Sequence, residues 1–207
     1  EVRILDDLRT GNRRNLDGLD VEFREGSILD REAVRDAVQG VDAVFHLAAL
    51  VSVPESMERP QQCVDINVTG LLTVLEEAAR AEVSKLCFSS SAAVYGDDPE
   101  IPKREEMPPA PRSPYAITKL SGEYYCDLFR REGWLDTACL RYFNVFGPRQ
   151  DPKSQYAAAV PIFIARALRG ESITIFGDGE QTRDFIYVKD IVAANAFAAE
   201  NESVGGV

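Results

Sequence analysis

Apolar positions in this chain recur with two periods, one suited to strands and one to helices. Residues 2–5 form a short apolar strand that stops at Asp6-Asp7, and residues 21–23 form a second. Residues 31–39 have the spacing of a short helix closed by Gly40. Residues 41–49 are almost continuously apolar, the pattern of a strand covered on both faces. Residues 67–82 repeat at helical spacing, with Leu71, Leu75 and Ala78 on one side. Residues 85–90 and 137–143 are further strands.

Between those last two strands the helix signals are complete. Ser113 is a good N-cap, Pro114 suits the first helical position, and Gly133 supplies a stop. Ile117, Leu120, Tyr124 and Leu128 give this helix its apolar row. Residues 97–114, rich in proline and acid, form a loop ahead of it, placed to make a rim over a site. Farther on, Gly147-Pro148 is a turn, residues 160–169 a helix ended by Gly170, and residues 173–176 a strand before the turn Gly177-Asp178-Gly179. Strands alternating with helices predict an α/β fold with a parallel sheet and helices on both faces.

Composition narrows the function. The chain has 207 residues, 45% of them hydrophobic, enough for a proper core. A net charge of -11 argues against nucleic acid as a partner. Cys63, Cys87, Cys126 and Cys139 show no close pairing, so they read as small core residues in a reducing compartment. The only histidine, His46, lies in an apolar run, which argues against a histidine metal site or a Ser-His-Asp triad. No apolar stretch is long enough to span a bilayer and no signal peptide is visible, so the expected compartment is the cytoplasm.

The chemistry concentrates at Tyr115 and Lys119, after the run Ser89-Ser90-Ser91. A spacing of four puts tyrosine and lysine on one helix face. Tyrosine is a poor base at neutral pH, with an ordinary pKa of about 10. A nearby ammonium favours the phenolate and lowers that value. A serine hydroxyl can then bridge the phenolate to a substrate alcohol.

With these elements placed, the chain resembles the extended short-chain dehydrogenase/reductases, in particular the NAD-dependent nucleotide-sugar epimerases and dehydratases. The matching segments are Leu5-Asp6-Asp7-Leu8, His46-Leu47-Ala48-Ala49, Asn67-Val68-Thr69-Gly70, residues 89–96, 113–119, Arg141-Tyr142-Phe143-Asn144 and residues 177–190. The resemblance implies a Rossmann-type doubly wound parallel sheet over residues 1–148 as the NAD-binding domain. Residues 149–207 would begin a smaller substrate domain, with 171–200 packing back on the sheet domain.

The resemblance also implies roles. Asp6, with Asp7 beside it, would hold the adenosine ribose and favour NAD over NADP, unless Asp6 is a turn residue. Ser27 and Ile28 would lie beside the adenine. Leu47, Ala48 and Ala49 would let the backbone approach the cofactor, and Ser89 would line it. Asn67 would support the site, or cap a helix. Ser91, Tyr115 and Lys119 would be the catalytic set, with Lys119 on the nicotinamide ribose. Tyr142 and Phe143 would pack by the nicotinamide, core packing being the rival reading. Asn144 and Arg183 would bind the nucleotide diphosphate, although Arg183 could instead pair with Asp184 or Asp190. Ser52 is a further candidate for sugar contact.

Ser91 is followed by Ala92-Ala93-Val94-Tyr95-Gly96, where related dehydratases and decarboxylases carry an acid. Alanine moves no proton, so the implied reaction is reversible 4-epimerisation of a UDP-hexose or UDP-N-acetylhexosamine through a 4-keto sugar and transient NADH. UDP-uronate 4-epimerase, 4,6-dehydratase and a non-catalytic dinucleotide-binding fragment are the alternatives. Residues 143–152 and 156–161, with 51–54, resemble the branch that accepts N-acetylated sugars. Family members are often dimers, and the Asn67 and Tyr115 helices are the expected contacts. The family's first strand and glycine-rich phosphate loop have no counterpart here, since Gly11 and Gly18 lack its spacing. The chain is therefore expected to be an internal piece of a longer one, and to bind NAD poorly alone.

Overall fold

The computed structural model describes residues 1–150, 159–175 and 177–207. They fall into two compact units, Glu1–Arg141 with Asn195–Val207, and Tyr142–Ala194.

The first unit is built on parallel strands. β1 (Arg3–Asp6) pairs in parallel with β2 (Glu22–Glu25), Leu5 facing Arg24. β3 (Ala43–His46) pairs in parallel with β4 (Lys85–Ser91), Phe45 facing Cys87, and β5 (Asp136–Tyr142) follows β4 in the same sheet. Between β2 and β3 runs α1 (Arg31–Val38), whose N-cap Asp30 accepts from the amides of Glu32 and Ala33. After β3 come α2 (Val53–Glu58) and α3 (Pro60–Val64). α3 continues without interruption through a π-helical turn (Asp65–Gly70) into α4 (Leu71–Arg80). The long helix α5 (Pro114–Arg131) carries Tyr115.

Strand alternation shows helices on both faces of the sheet. Leu86 and Phe88 of β4 and Cys139 of β5 join the core made with Val34, Leu71, Leu75, Cys126 and Phe129 from α1, α4 and α5. The intervening Cys87 and Ala138 turn the other way and pack on Ala198. Period-two side chains reaching two separate cores define the doubly wound α/β arrangement of a Rossmann-type sheet. Burying side chains the size of Leu71, Leu75, Leu86 and Phe88, all 1% exposed or less, contributes roughly 1.5–3 kcal/mol each.

The second unit contains β6 (Asn144–Phe146), α6 (Ala159–Leu168), β7 (Phe185–Tyr187) and the first part of α7 (Val188–Glu200). β6 and β7 pair in parallel, Asn144 facing Phe185.

Several expectations need correcting. The apolar run 41–49 is not covered on both faces, since Phe45 is 44% exposed and Leu47 62%. β4 is the buried strand, from Lys85 to Ser90, because it lies between β3 and β5. Ile117, Tyr124 and Leu128, from the row that marks α5 as a helix, are exposed. Ala116, Lys119, Gly122, Glu123 and Cys126 are buried instead, because Gly122 is where α5 meets Phe88: a Cβ there would collide with the ring. Asn67 is no N-cap, since the helical run starts seven residues earlier at Pro60. Residues 173–175 alternate like a strand, but among the described residues no strand pairs with them, and Phe176 lies outside those residues.

Candidate active site

β4 ends in Ser89, Ser90 and Ser91, and Ser91 accepts from the Ala93 amide as the chain turns. α5 starts where the sequence predicts, with the Ser113 hydroxyl accepting from the Ala116 amide. This places Tyr115 in the first turn, with the Ser91 side chain near enough to its phenol to lower the phenol's pKa. The Lys119 ammonium lies 5.8 Å from the centroid of the Tyr115 ring and 4.9 Å from that of Phe88. The structure thus brings Ser91, Tyr115 and Lys119 to one place.

The electrostatics differ from expectation. Burial pushes the Tyr115 phenol above its ordinary value, and the Ser91 hydroxyl pulls it back only in part. Burial also brings Lys119 down to about 8. Both groups lose water, and desolvation disfavours each charged form. Lys119 donates to the Ser89 carbonyl at 2.7 Å, so its charge is spent partly on the strand. His46, stacked on Phe88 at 6.0 Å, is held neutral with a pKa of about 3, by burial and then by the charge of Lys119.

Asn67 is buried and fully engaged. Its Oδ1 accepts from the Leu50 amide at 2.7 Å, and its Nδ2 donates to the Leu50 carbonyl at 3.0 Å and the Thr118 hydroxyl at 2.9 Å. It therefore fixes the segment after Leu47, Ala48 and Ala49 against α5. The π-helical turn that presents it is a form common at functional sites. Ile28 packs on Gly70 of the same turn, where a Cβ would collide with it.

Asp6 ends β1 exposed, and one oxygen accepts from the Leu8 amide at 2.7 Å, so the turn role is present. Asp7 accepts from Arg9, and the Ser27 hydroxyl from Leu29. Ser52 is 2% exposed and its hydroxyl caps α2 by accepting from Glu55, which uses it structurally. Tyr142 closes β5 and Phe143 follows it, both half-buried. In the second unit the Asn144 amide donates to the Asp184 carbonyl at 3.2 Å. Arg183 is exposed and donates to the Thr182 carbonyl, and among the described residues it forms no ion pair with Asp184 or Asp190.

Sequence reasoning missed a second polar layer. Glu123, one turn beyond Lys119, forms a buried ion pair with Arg141 at 2.8 Å and accepts from Ser90 at 2.5 Å. Arg141 also donates to the Tyr95 hydroxyl at 3.0 Å and lies over its ring. The available signal was a charge at the inward spacing of each element: Lys119 to Glu123 on the helix, and Arg141 two residues beyond Cys139 on the strand. Ser56 was also missed. It is fully buried and accepts from the Tyr115 amide at 3.2 Å. Among the described residues no cluster of metal-ligating side chains occurs, and no helix is long and apolar enough to cross a membrane.

Comparison with known proteins agrees with this arrangement. A UDP-N-acetylglucosamine 4-epimerase from Methanobrevibacter ruminantium M1, solved with UDP-N-acetylmuramic acid, superposes with a TM-score of 0.95 at 43% identity, over 99% of this chain and 66% of that one. The UDP-glucose 4-epimerase of Thermus thermophilus, solved with NAD, gives 0.89 at 38% identity, over 100% and 68%. The UDP-glucose 4-epimerase of Mycolicibacterium smegmatis is 38% identical over 208 residues, 98% of this chain and 66% of the relative. The chain thus spans about two thirds of the length of such relatives. The NAD dependent epimerase/dehydratase family matches residues 1–207, and the chain belongs to it.

Proposed function

We propose that this chain is the greater part of an NAD-dependent UDP-sugar 4-epimerase. The observation that carries the reading is the gathering of Ser91, Tyr115 and Lys119 at the end of β4 and the start of α5, with the Lys119 ammonium 5.8 Å from the centroid of the Tyr115 ring, next to alanines where an elimination would need an acid.

The residues present fit a dinucleotide. The exposed carboxylate of Asp6 at the carboxyl end of β1 suits a ribose diol, and Asp7, Ser27 and Ile28 lie close to it in sequence or at the end of the paired strand β2. Leu47 and Ala48 expose a small apolar surface at the end of β3, and Ala49 is half-buried behind it, so a flat ring can approach the backbone. Ser89, Lys119, Tyr142 and Phe143 take the nicotinamide end, with Asn67 holding the loop. When bound, NAD supplies a reversible hydride acceptor for the sugar C4 carbon.

The chain's own residues handle the proton. Ser91 bridges the C4 hydroxyl to Tyr115, and Tyr115 removes its proton. Since burial holds the free phenol high, Tyr115 becomes an effective base only when positive charge joins Lys119 at the site. The 4-keto sugar turns about its diphosphate linkage so that the opposite face of C4 would meet the returning hydride, and Tyr115 gives the proton back to the C4 oxygen. Asn144 and Arg183 take the diphosphate, the arginine as a planar fork suited to it. Ser52 acts by capping α2, so its support for the sugar is indirect. The N-acetylhexosamine preference rests partly on residues 151–158, which lie outside the described residues.

The division into a sheet domain to residue 148 and a substrate domain from 149 belongs to the same proposal, supported by the separate unit Tyr142–Ala194. A dimer is supported by the exposed row Ile117, Tyr124 and Leu128 on α5. Four buried free thiols support a reducing compartment such as the cytoplasm.

Anaerobic mixing of the intact protein with UDP-glucose or UDP-N-acetylglucosamine is expected to yield the C4 epimer without net NADH. Accumulation of a 4-keto-6-deoxy sugar would overturn the assignment.

A further inference from the structure

We propose that Ser56 is a positioning residue for Tyr115, holding the backbone of the base so that its phenol meets Ser91. The proposal rests on the reading of Tyr115 as the base.

The first turn of a helix leaves amides without intrahelical partners. In α5, Pro114 has no amide hydrogen, Ala116 donates to the Ser113 hydroxyl, and Ile117 donates to the Ser113 carbonyl at 2.9 Å. Tyr115 is left over, and its acceptor comes from another helix: the Ser56 hydroxyl of α2, at 3.2 Å. That hydroxyl donates to the Val53 carbonyl at 2.7 Å, so its hydrogen is committed and a lone pair is free for the Tyr115 amide.

The other pole of the same residue is gripped as well. The Tyr115 carbonyl accepts from the Thr118 hydroxyl at 2.8 Å, and that hydroxyl accepts from Asn67. Asn67 in turn holds both backbone groups of Leu50. Tyr115 is thus tied at its amide to residue 56 and, through Thr118 and Asn67, at its carbonyl to residue 50. Both ties lead to the segment after β3 that carries Leu47, Ala48 and Ala49. Movement of that segment is transmitted to the ring of the base. A helix cap supplied locally by Ser113 has no such connection.

The test compares wild type, Ser56→Ala and Thr118→Val in the intact, NAD-loaded protein. Turnover of UDP-glucose against pH is one readout. The other is ultraviolet titration of the Tyr115 phenol, isolated by subtracting the Tyr115→Phe spectrum. Ser56→Ala is expected to lower kcat between about 10- and 100-fold with KM for the sugar unchanged. The rising limb of its pH profile and the phenol titration are both expected to move to higher pH, because the ring loses its alignment with Ser91 and Lys119. Wild-type kcat, pH limb and titration in Ser56→Ala would overturn the proposal. If Ser56→Ala does not fold, Thr118→Val loosens the other pole and is read the same way. If wild type fails to interconvert sugars, the base reading fails, and the titration alone still decides whether Ser56 sets the phenol.

Discussion

The Lys119 ammonium donates to the Ser89 carbonyl across 2.7 Å, binding the helix that carries the tyrosine to the strand that carries the serine. The bond holds a charge where water is absent, and the protein is destabilised by keeping it. With a folded value of about 8 against an ordinary 10.5, Lys119 is charged in both states below pH 8. Between those values the unfolded chain holds more protons, so stability rises with pH. The full difference is roughly 3 kcal/mol. Lys119→Met is therefore expected to unfold at higher urea than wild type at pH 7, by up to that amount, and to lose most of the advantage at pH 10. Equal urea midpoints at pH 7 would show that the ammonium is better solvated than its burial implies.

Tyr115→Phe removes the phenolic oxygen and little else, because the amide and carbonyl of residue 115 keep Ser56 and Thr118. The loss expected in kcat is about 10²- to 10⁴-fold, the range for a positioned acid–base group. NAD affinity, read by fluorescence titration, is expected to stay unchanged, since the phenylalanine ring keeps the same apolar surface. Wild-type turnover by this variant would remove Tyr115 from the mechanism.

Much of this architecture was legible because it depends on local signals. Ser113, Pro114 and Gly133 bound α5 through capping and backbone rules that act within a few residues. The pairing of Tyr115 with Lys119 follows from one turn of helix. Orientation was harder. The apolar row Ile117, Tyr124, Leu128 marks a helix without saying which face turns inward, because an apolar side chain can as well face a second subunit. The true inward face is marked by Gly122, small where Phe88 approaches. Ser56, Glu123 and Arg141 were hidden because their partners are distant in sequence, 59 residues for Ser56 with Tyr115 and 18 for Glu123 with Arg141. The segment Ala92–Tyr95 was read for the acid it lacks; its shape is set by Gly96, where a Cβ would strike the Ala110 carbonyl.

Glu123 and Arg141 are 3% and 9% exposed, so each needs the other. Removing one partner of a buried pair leaves an uncompensated charge and costs about 3–5 kcal/mol, whereas replacing both with apolar groups of similar volume is often close to neutral. Arg141→Met is therefore expected to lower the urea midpoint sharply. Glu123→Leu combined with Arg141→Met is expected to recover most of that loss. A double variant no more stable than Arg141→Met would mean that the bonds to Ser90 and Tyr95, not the charge pair, carry the stability.

Ile117, Tyr124 and Leu128 are 51%, 62% and 42% exposed on one side of α5, and Trp134 beside them is 55% exposed. A hollow of about 360 Å³ beside Leu128 and Trp134 is lined by apolar side chains of α4 and α5 together with the charged Glu76 and Arg80. An exposed apolar row is the kind of surface a second copy of the chain could cover. In a two-fold dimer each residue at the contact counts twice. Losing one large apolar side chain from each copy, at roughly 1.5–3 kcal/mol apiece, weakens association by about 10²- to 10⁴-fold. In sedimentation the intact wild type is expected at twice its chain mass. Tyr124→Glu is expected to run as a folded monomer with an unchanged far-ultraviolet spectrum. A wild type that stays monomeric at high concentration would leave this face to some other partner, and a Tyr124→Glu protein that stays dimeric would place the interface elsewhere.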